Sequence, residues 1–111
     1  MNERHQLMDD KLFWVRLEHE MGAWLGRNLR RGLWADCLVP EDARDTKHGV
    51  DIVGSVIVDD GNGTRDEYRL VISVPQKMLH RRRHSFRIEQ FLIDEAHRTL
   101  EIRLASEKDV S

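Results

Sequence analysis

Cysteine, proline and long apolar runs are all scarce in this chain of 111 residues. The lone cysteine, Cys37, excludes an intrachain disulfide and is typical of a protein from a reducing compartment. The longest unbroken apolar run has four residues, Leu12 to Val15, which is too short for a membrane-spanning helix or a secretory signal. We therefore expect a cytoplasmic protein that does not enter a membrane.

The sequence also lacks an excess of charge of one sign. It has 18 Lys and Arg against 20 Asp and Glu, so the net charge of −2 gives no overall attraction to nucleic acid. With 40% apolar and 34% charged residues, the composition is that of a soluble globular protein. A chain of this length can build a core without metal or disulfides, and we expect one domain over residues 1–111.

A nucleotide-binding loop is missing as well, although residues Asp94–His97 spell Asp-Glu-Ala-His, the motif of ATP-driven helicases. The carboxylates of that motif hold Mg²⁺ only beside a phosphate-binding loop that ends in Gly-Lys-Ser/Thr. None of the seven glycines is followed by lysine. An alternating segment follows His97, so we interpret the four residues as a hairpin turn and the match as coincidence.

No other set of residues completes a catalytic or metal site. His19-Glu20 begins like a zinc-protease motif, but Ala23 stands where the second histidine is needed. His80 and His84 have helical i, i+4 spacing, yet the three arginines between them repel a cation. Cys37 lies among apolar residues and is more typical of a small buried side chain than of a nucleophile. We therefore predict no catalytic residues, no metal, no cofactor and no enzymatic activity.

Residues 7 to about 31 have the 3.6-residue period of one amphipathic helix. Its apolar stripe consists of Leu7, Phe13, Trp14, Leu17, Met21, Trp24 and Leu25. Two apolar residues, Leu12 and Val15, point away from that stripe. Asp10 and Asn28 fall at its two ends. Gly32 is a plausible stop for the helix.

After Gly49 the apolar period changes to 2, the period of strands. We predict strands near 50–58, 67–74, 85–94 and 98–105, followed by a frayed tail at 106–111. Leu33–Val39 is either a short strand or an extended arm ended by Pro40, and 41–49 is expected to be a loop. The predicted fold is α+β, with a long N-terminal helix on an antiparallel meander of four strands, or five if Leu33–Val39 is one of them.

The densest charge cluster follows Pro75 in a segment that breaks the alternation. It comprises His80, Arg81, Arg82, Arg83, His84 and Arg87. Adjacent guanidinium groups clasp phosphate or carboxylate well, so an anion, a nucleic acid or an acidic protein are candidate partners. A solvated loop is the simpler interpretation. Phe86, the neighbouring aromatic residue, is assigned to the core, so nucleic acid is not favoured.

Three tryptophans, Trp14, Trp24 and Trp34, give the helix and the segment after it more aromatic bulk than a small sheet needs. Most of that bulk is expected to belong to the core. The rest, together with Leu12 and Val15, marks a candidate pocket or interface. The leading hypothesis is a non-enzymatic interaction module, either monomeric or a homodimer. The alternative is a small-ligand-binding protein or enzyme with a pocket between the helix and the sheet.

Overall fold

A computed structural model describes residues 3–28, 34–81 and 84–107, with side chains described for 6–27, 35–79 and 84–107. Three helices and five strands follow one another as α1 (Glu3–Met8), α2 (Lys11–Asn28), β1 (Trp34–Thr46), β2 (Gly49–Asp59), β3 (Arg65–Pro75), α3 (Gln76–Arg81), β4 (Phe86–Asp94) and β5 (Thr99–Ser106). The α+β class is confirmed. In the described chain, no helix combines the length and the apolar character needed to cross a membrane.

The N-terminal helical region is broken where the sequence predicts one continuous helix. The break falls between α1 and α2, where the Asp10 carboxylate accepts a hydrogen bond from the backbone N–H of Phe13 at 3.2 Å. This is the N-cap geometry that begins a new helix. The indole N–H of Trp14 donates to the carbonyl of Leu7 at 3.0 Å, which holds the end of α1 against α2. The predicted end near residue 31 lies outside the described residues.

The apolar stripe of the helix is confirmed as the core face. Five of its members have no exposed side-chain surface: Leu7, Phe13, Leu17, Met21 and Leu25. Trp14 and Trp24 pack partly buried against the same core. Leu12 and Val15 point the other way and are each 69% exposed, as the helical period predicts.

The sheet is mixed, with strand order β1-β2-β3-β5-β4. Neighbouring strands are antiparallel except β3 and β5, which pair in parallel from Arg69 with Thr99 to Ser73 with Arg103. The predicted meander is therefore wrong at this point. After α3 the chain leaves a space one strand wide beside β3, and the β4–β5 hairpin returns β5 into it. β5 alternates cleanly and fits an interior position, whereas β4 has a register shift between Ile88 and Gln90, which suits an edge.

β1 is longer than predicted, since it runs through Pro40 to Thr46 instead of ending at the proline. It is an edge strand with register shifts between Asp36 and Val39 and between Pro40 and Asp42. Proline is tolerated at such places because its missing N–H removes no ladder bond. The predicted loop 41–49 shrinks to a turn at residues 47–48. Leu33 lies outside the described residues.

The turns predicted from the sequence are confirmed. At the β2–β3 turn, Asp60 accepts hydrogen bonds from the backbone N–H groups of Asn62 at 2.8 Å and Thr64 at 3.2 Å. Residues 95–98 form the β4–β5 turn, so the helicase-like letters lie in a hairpin. β5 continues to Ser106, one residue into the predicted tail, and residues 108–111 are outside the described part.

One face of the sheet lies against α2 and the other is open. Buried side chains of the central strands point towards the helix: Val50, Ile52, Val56, Val58, Tyr68, Leu70, Ile72, Val74, Leu100, Ile102 and Leu104. The alternate residues of these strands face away from α2 and form what we call the open face. The prediction that β5 is apolar on one side only is confirmed by exposed Glu101 and Arg103.

Candidate binding surfaces

The open face carries a charged row that crosses the whole sheet. Strand register places Arg44 opposite Asp51, Asp51 opposite Ser73, Ser73 opposite Arg103 and Arg103 opposite Gln90. Side chains opposite one another on the same face lie within contact range. Residues far apart in sequence are therefore brought into one polar row, in which Arg44, Asp51 and Arg103 are charged.

A cavity of about 700 Å³ lies over the middle of this row and extends along the strands to Pro75 and Lys77, where β3 ends and α3 begins. Two carboxylates, three cationic side chains and a hydroxyl contribute to its lining: Asp51, Glu89, Lys77, Arg87, Arg103 and Ser73. A pocket of this size with a few convergent polar groups is typical of small-molecule sites. Its charged groups come from four different strands or helices, so the tertiary structure creates it.

Four of these charged side chains form no ion pair within the described part of the chain. Across residues 35–79 and 84–107, the side chains of Asp51, Glu89, Arg87 and Arg103 make no ion pair within 4.0 Å. By contrast, Arg65 on the same open face donates to Asp59 at 2.8 Å and to Asp36 at 3.2 Å. The hydrogen bond from Arg65 lowers the pKa of Asp36 below its ordinary 3.8. That second cluster fastens β1, β2 and β3 together.

A second surface is the outer face of α2. Beside Leu12 and Val15 it presents two glycines, and a β-carbon placed on Gly22 or Gly26 would have no atom within 4 Å. An open hollow of about 460 Å³ lies here, lined by Val15, Glu18, His19, Gly22, Ala23 and Ala35. Large apolar side chains and a shallow hollow thus share one side of the helix.

Two of the three candidate tryptophans, Trp14 and Trp24, pack against other aromatic rings. Trp14 meets the ring of Phe13 edge-on at 4.9 Å, and Trp24 stacks on Phe91. Core side chains fill the space between α2 and the sheet, and neither Trp14 nor Trp24 lines the cavity on the open face. The backbone of Trp34 pairs with Asp59 in the sheet, and its side chain is outside the described part.

The basic cluster is divided by the fold. His84 lies with Nε2 at 2.7 Å from the Asp10 carboxylate, beside the start of α2, whereas Arg87 lines the cavity on the open face. The loop interpretation of this cluster is wrong for His80 and Arg81, whose backbone belongs to the helix α3, and Arg82 and Arg83 lie outside the described residues. Anion binding by Arg81, Arg82 and Arg83 stays a prediction.

The carboxylate of Asp94, the first residue of the helicase-like motif, stabilises the β4–β5 turn. It accepts hydrogen bonds from the backbone N–H of His97 at 3.1 Å and lies 2.9 Å from Nδ1 of the same residue. The contact with the imidazole lowers the pKa of Asp94 below 3.8. Within the described ranges, no group of three His, Cys, Asp or Glu side chains is arranged to hold a metal ion.

The sequence pattern did not reveal the cavity. Alternation does place Asp51, Ser73 and Arg103 on solvated strand faces, which was the available signal. It does not say that β5 is the neighbour of β3, and that pairing is what brings Arg103 to Ser73.

No family model, no curated protein and no solved structure matches this chain. What the protein does must therefore be inferred from its two surfaces.

Proposed function

We propose that the protein is a non-enzymatic cytoplasmic interaction module that forms a homodimer through the outer face of α2. The observation that carries this proposal is the 69% exposure of Leu12 and of Val15 beside the open space above Gly22 and Gly26. Exposed apolar residues in a contiguous patch favour association. The non-enzymatic part is supported by Asp36, Asp60 and Asp94, whose carboxylates hold turns and strands.

Helical geometry gathers these residues on one side. At 100° per residue, Leu12, Val15, His19, Ala23 and Gly26 fall within a sector of about 80°, opposite the core stripe. The patch has no Lys, Arg, Asp or Glu in that sector, and charged residues such as Glu18 stand beside it. This is the pattern of an apolar contact surface with a charged rim.

The two glycines need an explanation within a helix. Each costs roughly 1 kcal/mol of helix stability relative to alanine. Since nothing lies within 4 Å of a β-carbon at Gly22 or Gly26, no contact inside the described chain requires a glycine there. A second helix that approaches closely would require one, because a missing side chain lets two backbones come together.

A two-fold axis near His19 matches large residues with small ones. In an antiparallel pair of α2 helices centred there, Leu12 of each copy lies opposite Gly26 of the other, and Val15 lies opposite Ala23. The same patch serves both copies, as the two-fold symmetry of a dimer demands. A patch on one helix is small, so we expect a dimer of micromolar rather than nanomolar affinity.

Sedimentation velocity tests the proposal over a range up to on the order of 100 μM. We expect the unchanged protein to approach twice its 13.1 kDa mass at the upper end of that range. The Leu12→Glu/Val15→Glu variant and the Gly26→Leu variant should both remain monomers with unchanged circular dichroism. The first places charges in the apolar patch, and the second places a side chain where the backbone of the second helix must approach.

The matched control is Leu92→Glu, which alters a 50% exposed apolar residue on the edge strand β4 and should still dimerise. The proposal is wrong if the unchanged protein stays at 13.1 kDa throughout. It is also wrong if a dimer forms that the α2 variants do not weaken.

A further inference from the structure

We propose that the cavity on the open face binds a small zwitterionic ligand, with an oxyanion group at one end and an amine at the other. The cavity lies across the sheet from α2, so this site is independent of the proposed dimer. The charged side chains at the two ends of the cavity indicate the class of ligand.

The oxyanion end is formed by Arg87 and Arg103. Arg103 lies opposite Gln90, and Arg87 lies opposite Ala105 two residues further along β5. They are therefore diagonal neighbours on adjacent strands, roughly 7–8 Å apart at the backbone, and their long side chains can converge on one group. Guanidinium groups bind phosphate and carboxylate through paired hydrogen bonds. Lys77, from α3, adds a third cation to the lining.

The amine end is formed by Asp51. It lies opposite Ser73, which in turn lies opposite Arg103. Two strand spacings therefore separate Asp51 from Arg103, roughly 10 Å at the backbone. Asp51 lacks an ion-pair partner in the described chain, and the Ser73 side chain lies between the two ends. A carboxylate placed in this way attracts the positive end of a ligand.

The lining is therefore positive at one end and negative at the other, so one small zwitterionic molecule can match both ends. Glu89 sits on the same side as Arg87 and Arg103, and the two guanidinium groups outweigh its single carboxylate. A volume of about 700 Å³ accommodates a small metabolite and its water. An oxyanion alone would use only one end, so the ligand that satisfies both ends binds more tightly.

Isothermal titration and amide chemical shifts test the site with defined probes. The probes are O-phosphoethanolamine, γ-aminobutyrate, inorganic phosphate and ethanolamine, each titrated up to roughly 10 mM. We expect phosphoethanolamine or γ-aminobutyrate to bind at least about tenfold more tightly than inorganic phosphate or ethanolamine. Comparison of the first two probes tells a phosphate end from a carboxylate end. Shifts should concentrate at residues 51, 73 and 103.

Variants separate the two ends of the site. The Arg87→Ala/Arg103→Ala protein should lose at least about tenfold in affinity for both oxyanion probes. Asp51→Asn should weaken phosphoethanolamine binding by a similar factor and leave inorganic phosphate unchanged. The matched control is Arg69→Ala, which removes an exposed arginine on the open face that does not line the cavity.

Three results overturn the proposal. The first is that no probe binds saturably at the highest concentration. The second is that Arg69→Ala weakens binding as much as the Arg87→Ala/Arg103→Ala change, which would indicate general charge attraction. The third is that neither phosphoethanolamine nor γ-aminobutyrate binds more tightly than inorganic phosphate.

Discussion

The indole of Trp24 stacks on the ring of Phe91, with centroids 4.4 Å apart and planes only 9° from parallel. Trp24 belongs to α2 and Phe91 to the edge strand β4, which pairs with β5 alone. Arg16 of α2 also donates to the carbonyl of Phe86, the first residue of β4, at 3.0 Å, and to the carboxylate of Glu107, which follows β5, at 3.0 Å. The helix thus holds in place the strand that carries Arg87.

Removal of the two rings, singly and together, should measure the interaction between Trp24 and Phe91. We expect the Trp24→Ala and Phe91→Ala changes to lower the free energy of unfolding by less in combination than the sum of the two single effects. The difference should be about 0.5–1.5 kcal/mol, the value found for paired aromatic rings. Urea unfolding of the two single variants and the double variant measures it, and strictly additive effects would show that the stack contributes nothing specific.

Gly54 should not tolerate a side chain. Its α-carbon lies against the backbone of β1, and an added β-carbon would overlap the carbonyl oxygen of Val39. Backbone on both sides cannot move without disturbing the β1 bulge, so Gly54→Ala should cost about 1–3 kcal/mol of unfolding free energy. Ser55→Ala, on the opposite face of the same strand, is the control and should stay within about 0.5 kcal/mol of the unchanged protein. Equal stability of the two variants would contradict this interpretation of the bulge.

Three carboxylates should govern acid stability. The hydrogen bond from Arg65 lowers the pKa of Asp36, that from the backbone of Asn62 lowers the pKa of Asp60, and that from His97 lowers the pKa of Asp94. A folded-state pKa below the unfolded value of 3.8 means that the stabilisation is complete above that pH. It is lost as the pH falls through the lower folded-state values.

Urea unfolding between about pH 6 and pH 2.5 checks this dependence. The Asp36→Asn/Asp60→Asn/Asp94→Asn variant should be less stable than the unchanged protein at pH 6. It should also lose less stability on acidification, because its three amides do not titrate. Arg65→Met removes the partner of both Asp36 and the buried Asp59, so it should lower the stability at pH 6 by more than Asp36→Asn does. If all variants lose stability on acidification as much as the unchanged protein does, then groups other than these three carboxylates control the loss of stability at low pH.

Local periodicity was enough to determine which residues of α2 and of the central strands face the core, whereas the prediction that Cys37 is buried was wrong, since Cys37 is exposed on the edge strand β1. Phe13 and Leu17 recur at the helical period and are buried, and Leu70 and Ile102 recur at the strand period and are buried too. Turn chemistry was equally local, as in the carboxylate of Asp94 that bonds the N–H of His97. The exposed pair Leu12 and Val15 followed from the same reasoning.

The break between α1 and α2, the length of β1 and the place of β5 were decided only by tertiary structure. Asp10 caps α2 and meets His84 from the far end of the chain, a contact that no local pattern encodes. An alternating strand shows the same two faces whichever neighbour it has, and β5 could as well have paired only with β4. Because β5 lies beside β3, Arg103 lies opposite Ser73 and two strands from Asp51, and the three residues line one cavity. The direction in which a side chain points follows from the local backbone geometry of its own strand or helix. Which strands pair depends on hydrogen bonds between segments that are far apart in sequence.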